Sequence, residues 1–212
     1  MKANAEARRV AVPLEAGFGP ENPPCPACGE PLFGWTRGPG GVPVRRCESC
    51  AMAVIGEPGD AGDALARLDE QRLGGDAPRF RIANRASFAA SLGGGGWAAI
   101  DRCNRYLFSA EAVRRLAATR GQQVDGVRWR PLASLLVTWG TLLNSFTFGH
   151  NVALGALGRA AATQARRPWQ RGIDRFVSVL ATPVVMLAAL LLEAVAGISG
   201  RGAVLELTLS PR

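Results

Sequence analysis

The amino-acid sequence predicts an α+β fold in two parts: a small β module stapled by cysteines, then a larger mixed region carrying a two-helix apolar insertion. Three observations lead there. Four of the five cysteines fall into two C-x-x-C pairs near the N-terminus. Short segments of alternating polarity follow, separated by a helix with clear start and stop signals. Between the last two of those segments lie two long stretches almost free of charge. With 212 residues, 48% of them hydrophobic, the chain can bury a real core and is not of the disordered class. Its formal charge of +8 comes almost wholly from arginine, since Lys2 is the only lysine. Such a skew is as consistent with biased composition as with a polyanion partner, so charge alone assigns no ligand.

Residues 1–22 mix Glu6, Arg8, Arg9 and Glu15 with prolines and lack the apolar run of a secretory signal, so a mobile tail is expected. Residues 23–56 form the module. Cys25 and Cys28, then Cys47 and Cys50 after eighteen intervening residues, have the spacing of two metal-binding knuckles. Pro26 and Gly29 suit the tight turn, and residues 31–35 and 42–46 can pair as a hairpin. Four thiolates close the shell of a Zn²⁺ ion, so the expected role is structural. Disulfides or a redox pair are the alternatives, and no thioredoxin-like βαβ pattern surrounds the cysteines. Thiolate ligands and a lone fifth cysteine, Cys103, place the chain in a reducing, cytoplasmic compartment. Arg37, Arg45 and Arg46 make the module basic, but no aromatic residues interleave with them, so nucleic acid is the minority reading.

Residues 57–78 read as a linker and a short helix over 63–73, with Leu65, Leu68 and Leu73 inward and Gly74 and Gly75 ending it. Residues 79–84 alternate as a strand. The glycines at 93–96 lack the lysine and following Ser/Thr of a phosphate loop and suggest a mobile connection before Trp97. Ser109 is a strong N-cap for a helix through Arg120, with Glu111 in its first turn, a Phe108/Val113 staple and Gly121 just beyond. Residues 124–129 and 203–209 are the remaining strands.

Within this order, L-G-G-D-A-P-R-F-R-I-A-N-R-A-S-F (residues 73–88), Trp97, I-D-R-C-N-R-Y-L-F-S-A-E-A-V-R-R-L (100–116) and G-R-G-A-V-L-E-L-T-L-S-P-R (200–212) resemble segments of bacterial class I S-adenosylmethionine-dependent methyltransferases. Members of that family often carry an N-terminal ribbon of two C-x-x-C pairs. The resemblance implies that residues 79–212 are a methyltransferase-like α/β remnant. The cofactor half has no counterpart: about 28 residues separate Cys50 from Arg79, fewer than the roughly 30 of a single βαβ unit. No catalytic residue is carried over, and the cofactor is expected only if a partner chain supplies its site. Strands deprived of neighbours would be covered by helices or by a second chain, through a partner protein or self-association.

The two uncharged stretches lie in residues 131–199. In the first, Leu132, Leu135, Leu136, Trp139, Leu142, Leu143 and Phe146 form an apolar stripe, with Ser134, Thr138, Thr141 and Ser145 on the other side. The second, residues 176–192, is apolar all round, contains Pro183, and as a helix is about 25 Å long, short of the roughly 30 Å of a hydrocarbon core. Between them run Arg159, Arg166, Arg167, Arg171 and Arg175 with Trp169. A spanning hairpin would place these arginines opposite to the positive-inside rule. A shallow hairpin, with Trp139, Arg166, Arg167, Trp169 and Arg171 at an anionic inner membrane face or a partner, satisfies both constraints. Burial of both helices as core is the competing expectation. His150 and Cys103 are read as packed residues, not catalysts.

Overall fold

The computed structural model describes residues 22–74, 78–101, 104–159 and 167–212. It is mixed α and β, with two four-stranded antiparallel sheets and a long apolar helix near the C-terminus. The first sheet starts as the expected hairpin, β1 (Leu32–Arg37) with β2 (Pro43–Cys47), and continues through β3 (Ala53–Ile55). After α1 (Ala61–Asp69) come β4 (Arg72–Leu73), β5 (Arg79–Ala83) and α2 (Phe88–Gly93). Next, β6 (Tyr106–Leu107) returns to the first sheet and pairs with β3. The module at 23–56 therefore has its fourth strand supplied from fifty residues downstream.

The rest of the chain adds α3 (Ala110–Thr119), β7 (Gln122–Trp129), α4 (Pro131–Asn144), α5 (Val152–Ala156), α6 (Pro168–Ile198) and β8 (Val204–Pro211). The last strand lies in the interior of the second sheet, order β4-β5-β8-β7, antiparallel to both neighbours, so β5 and β7 run parallel to each other. One core joins the sheets: Leu32, Met52 and Val54 pack with Leu68, Phe80, Ile82, Phe108, Val113, Leu116 and Leu207.

Several expectations need correction. The helix expected over 63–73 starts earlier and ends at Asp69, because Asp60 is its N-cap, its Oδ1 accepting from Asp63 N at 2.8 Å. Arg72 and Leu73 are instead the edge strand beside β5. The glycines at 93–96 are the end of α2 and a 3-10 turn, and two of them are closely packed: a Cβ on Gly93 would strike Thr141, and one on Gly95 the carbonyl of Arg37. Glycine is required there by close approach. Gly75, expected to end that helix, lies outside the described residues.

The larger surprise concerns the apolar insertion. The second apolar stretch is the interior of a 31-residue helix, so Trp169, Arg171 and Arg175 sit on α6 and not in a loop. At 1.5 Å per residue it is about 46 Å long. Helix α4 is buried on both sides, as the core expectation had it: Ser134, Thr138 and Thr141 are buried, and so are Trp139 and Leu143 of the apolar stripe, whereas Leu132 and Phe146 at its ends are exposed. Each buried hydroxyl is satisfied. Ser134 Oγ accepts from Val204 N at 2.8 Å, Thr141 Oγ1 accepts from Ala98 N at 3.1 Å, and Thr138 donates to Glu193.

The inner face of α6 carries Asp174, Ser178, Val185, Ala189, Glu193 and Ala196. Asp174 accepts from the amides of Phe148 and Gly149 at 2.7 and 2.9 Å. Glu193 takes the Thr138 hydroxyl and Trp129 Nε1 (3.2 Å), and lies 3.4 Å from Ala203 N. Replacing Glu193 with alanine takes the acceptor from the Thr138 hydroxyl and from Ala203 N, while Trp129 Nε1 keeps Ser134 Oγ at 3.0 Å, so a loss of about 1–3 kcal/mol is expected in a denaturant melt. The outer face is apolar: Phe176, Val179, Leu180, Val184, Leu187, Leu191, Val195 and Ile198 are exposed, Ile198 to 91%.

Candidate metal centre

Two turns build the site. In the first, Gly29 N and Cys28 N both donate to Cys25 O, and Cys25 N donates to Glu30 O at 2.7 Å, which folds the chain back so that both sulfurs face inward. Gly29 closes it at φ +79°, where a side chain is strained. In the second, Cys47 N donates to Met52 O at 2.8 Å, and Ala51 holds the equivalent position at φ +56°. A non-glycine residue there carries a cost of roughly 1–2 kcal/mol, partly offset by its smaller unfolded-state freedom. Ala51→Gly is therefore expected to stabilise the chain by about 0.5–1 kcal/mol, read as a raised melting temperature with unchanged metal content.

The four sulfurs lie within 4.8 Å of one another, with Cys25 Sγ 3.6 Å from Cys50 Sγ and Cys28 Sγ 3.4 Å from Cys47 Sγ. All four thiols are free. Disulfide sulfurs would sit about 2.05 Å apart. A tetrahedral ion about 2.3 Å from each sulfur separates neighbouring sulfurs by about 3.8 Å, close to the spacing found. The residues fit the metal the sequence implied, and this cluster could hold one ion with no ligand position left over.

The thiols press on one another. Hydrogen bonding from Cys50 brings Cys25 down to about 5 against the opposition of burial, while the same contact and burial push Cys50 up. Burial raises Cys28 to about 11. Crowded thiols at this distance relieve one another by losing protons to a cation, which is how a metal would be held.

The surroundings fix the second turn. Ser109, the expected N-cap of α3, accepts from Ala112 N at 3.0 Å and donates its hydroxyl proton to Cys50 O. Tyr106 donates to Asp63 Oδ2 and accepts from Gly59 N at 3.0 Å, joining α1 to the shared strand. The sequence showed Ser109 as a helix cap but gave no sign that it also reaches a knuckle 59 residues away. Arg45, one of the basic residues of the module, is turned inward, donating to Gly56 O at 3.1 Å beside Glu57.

Of the residues expected at a membrane or partner surface, Trp169 is 53% exposed at the start of α6, and Arg167 and Arg171 are exposed on the same turns. Trp139 is a correction: it is only 5% exposed, packed with Leu143, Leu154, Val185 and Ala189, because α4 presents this side to α6. Arg166 and Cys103 lie outside the described residues. His150 is mostly buried between Asn144 and the 100–101 segment, and burial lowers its pKa.

No family model, curated protein or solved structure matches this chain. The site and the surface therefore stand on their own geometry.

Proposed function

We propose that the chain is a zinc-stapled, membrane-peripheral module that supports a partner and performs no catalysis by itself. Four thiolates at tetrahedral spacing suit zinc, a borderline-soft ion without redox chemistry, in a structural site. The observation that carries the membrane reading is the inversion of α6. Its carboxylates and hydroxyls point into the protein, and its large apolar side chains point out. A soluble helix is built the opposite way.

The orientation follows from what α6 touches. Near its start Asp174 holds the amides of Phe148 and Gly149, and near its end Glu193 holds Trp129, so the body of the chain flanks it from end to end. Crossing a bilayer would draw that body into hydrocarbon, where its polar groups have no partners. Lying flat costs nothing of the kind: the outer face enters the acyl boundary, and Trp169, Arg167, Arg171 and Arg175 meet anionic head groups at one end. Free thiolates and this shallow dock agree with the cytoplasmic face of a membrane.

Flotation tests the proposal. The metal-loaded chain is expected to rise with phosphatidylglycerol vesicles and to stay down with phosphatidylcholine at moderate salt. A chain that ignores both, and sediments as a dimer, would show that a second copy covers the face instead.

A second reading draws on the sequence resemblance: a methyltransferase half completed by another chain. What favours it is that two resembling segments, 73–88 and 200–212, form β5 and β8, neighbours in one sheet. Calorimetric titration with S-adenosylmethionine separates the readings. The first expects no saturable heat from the isolated chain, and micromolar binding would replace it with the second.

A further inference from the structure

Between the second cysteine turn and the first turn of α3 lies an open cleft of about 660 Å³, walled on another side by the segment after β5 and by the turn before β8. Four arginines line it: Arg46, Arg85, Arg114 and Arg201. Two carboxylates share its rim, and both are already engaged. Glu48 lies 3.6 Å from Arg46, and Glu111 bonds Arg115 at 3.0 Å and Arg114 at 3.4 Å. Arg201 donates to Ala86 O at 3.2 Å and stacks over Phe88.

Arg85 is the exception. It is only 6% exposed, its guanidinium lies 3.5 Å over the Trp35 ring, and its Nε has no hydrogen-bond partner among the described residues. A buried guanidinium without a counter-ion is costly, and an aromatic face offsets only part of that cost. Burial, and after it the charge of Arg46, lowers the pKa of Arg85 to about 10. Among the described residues no salt bridge reaches Arg85, which stands at the wall of a cleft that Arg46 also lines.

We propose that this cleft binds a small phosphate-bearing molecule, whose phosphate neutralises Arg85 and is gripped at the rim by Arg46, Arg114 and Arg201. Guanidinium forks suit phosphate because several N–H donors can meet one group of oxygens. The first turn of α3, on the same wall, adds the favourable end of a ten-residue helix dipole. The volume admits a nucleotide-sized ligand. This site is independent of the membrane face, because none of its arginines lies on α4 or α6.

Isothermal titration of the full metal-loaded chain with inorganic pyrophosphate, and with ADP at matched ionic strength, tests it. One saturable site is expected, with a dissociation constant on the order of 10 µM. Arg114→Gln and Arg201→Gln, both on the rim, should each weaken it about tenfold with an unchanged melting temperature, and Arg85→Gln should abolish it. Arg72→Gln, on the edge strand, should change nothing. Heats that never saturate, or wild-type affinity in both rim variants, overturn the assignment. So does a short single-stranded RNA that binds more tightly than pyrophosphate and displaces it, which would make the cleft a nucleic-acid contact.

Discussion

Removing the metal with a chelator is expected to unfold the first sheet and to destabilise the whole chain, with recovery on adding zinc back. The reason lies in the shared core. Cys25, Cys47 and Cys50 are buried in the same apolar cluster as Phe80, Phe108, Leu116 and Leu207, and β6 belongs to the first sheet although its flanks belong to the body. A structural zinc contributes roughly 10–16 kcal/mol to folding in small modules, comparable to the 5–15 kcal/mol that separates native from unfolded domains. Losing it cannot be absorbed locally. Far-UV circular dichroism with and without chelator should show a large drop in melting temperature and a loss of strand signal. Cys47→Ser, which removes one ligand, should behave the same way. A melt that moves by only a degree or two would mean that packing alone supports the cysteine turns.

The second large effect concerns the outer face of α6. Leu187→Glu combined with Leu191→Glu should abolish vesicle binding while leaving the fold intact. Both leucines are exposed, so replacing them should alter folding stability by no more than about 0.5 kcal/mol. Burying each in the acyl boundary is worth about 1.5–3 kcal/mol, so losing both reduces partitioning by two to four orders of magnitude, roughly. Ala189→Glu is the contrasting change. Ala189 is fully buried against α4, and a carboxylate there should unfold the helix pair. Loss of binding by the double variant with an unchanged melt assigns the face to a membrane. Retained binding would leave the arginines to act alone.

How much of this was legible in the sequence depends on the range of the interaction. The cysteine turns and the α3 cap are local, set by residues within five positions, and they stand where the spacing put them. The sharing of β6 was not legible, because Tyr106 and Leu107 meet Ala53 and Val54 only through tertiary contact, and two apolar residues carry no register signal. The burial of the polar side of α4, in addition to Trp139 and Leu143 of its apolar stripe, was missed for a physical reason. Apolar periodicity locates a stripe but not the solvent, and here Ser134, Thr138 and Thr141 face inward because Glu193, Ala98 and Val204 supply partners. The sign available in advance was Glu193 itself, a lone charge at the end of an apolar run. Arg85 gave no sign at all, since one arginine among twenty-four is unremarkable until its neighbours are known.

The account rests on α6 lying flat with one face in lipid, and a depth profile along that helix is the most direct test. Single nitroxide labels at positions 176, 180, 184, 187, 191 and 195, each on the metal-loaded chain with phosphatidylglycerol vesicles, report oxygen accessibility and hence depth. The result predicted is one shallow depth shared by all six, with a label at 185 shielded by protein. A depth that rises to a maximum near 187 and falls again would show a helix that crosses the bilayer, and labels that do not respond to vesicles would remove the membrane from the account.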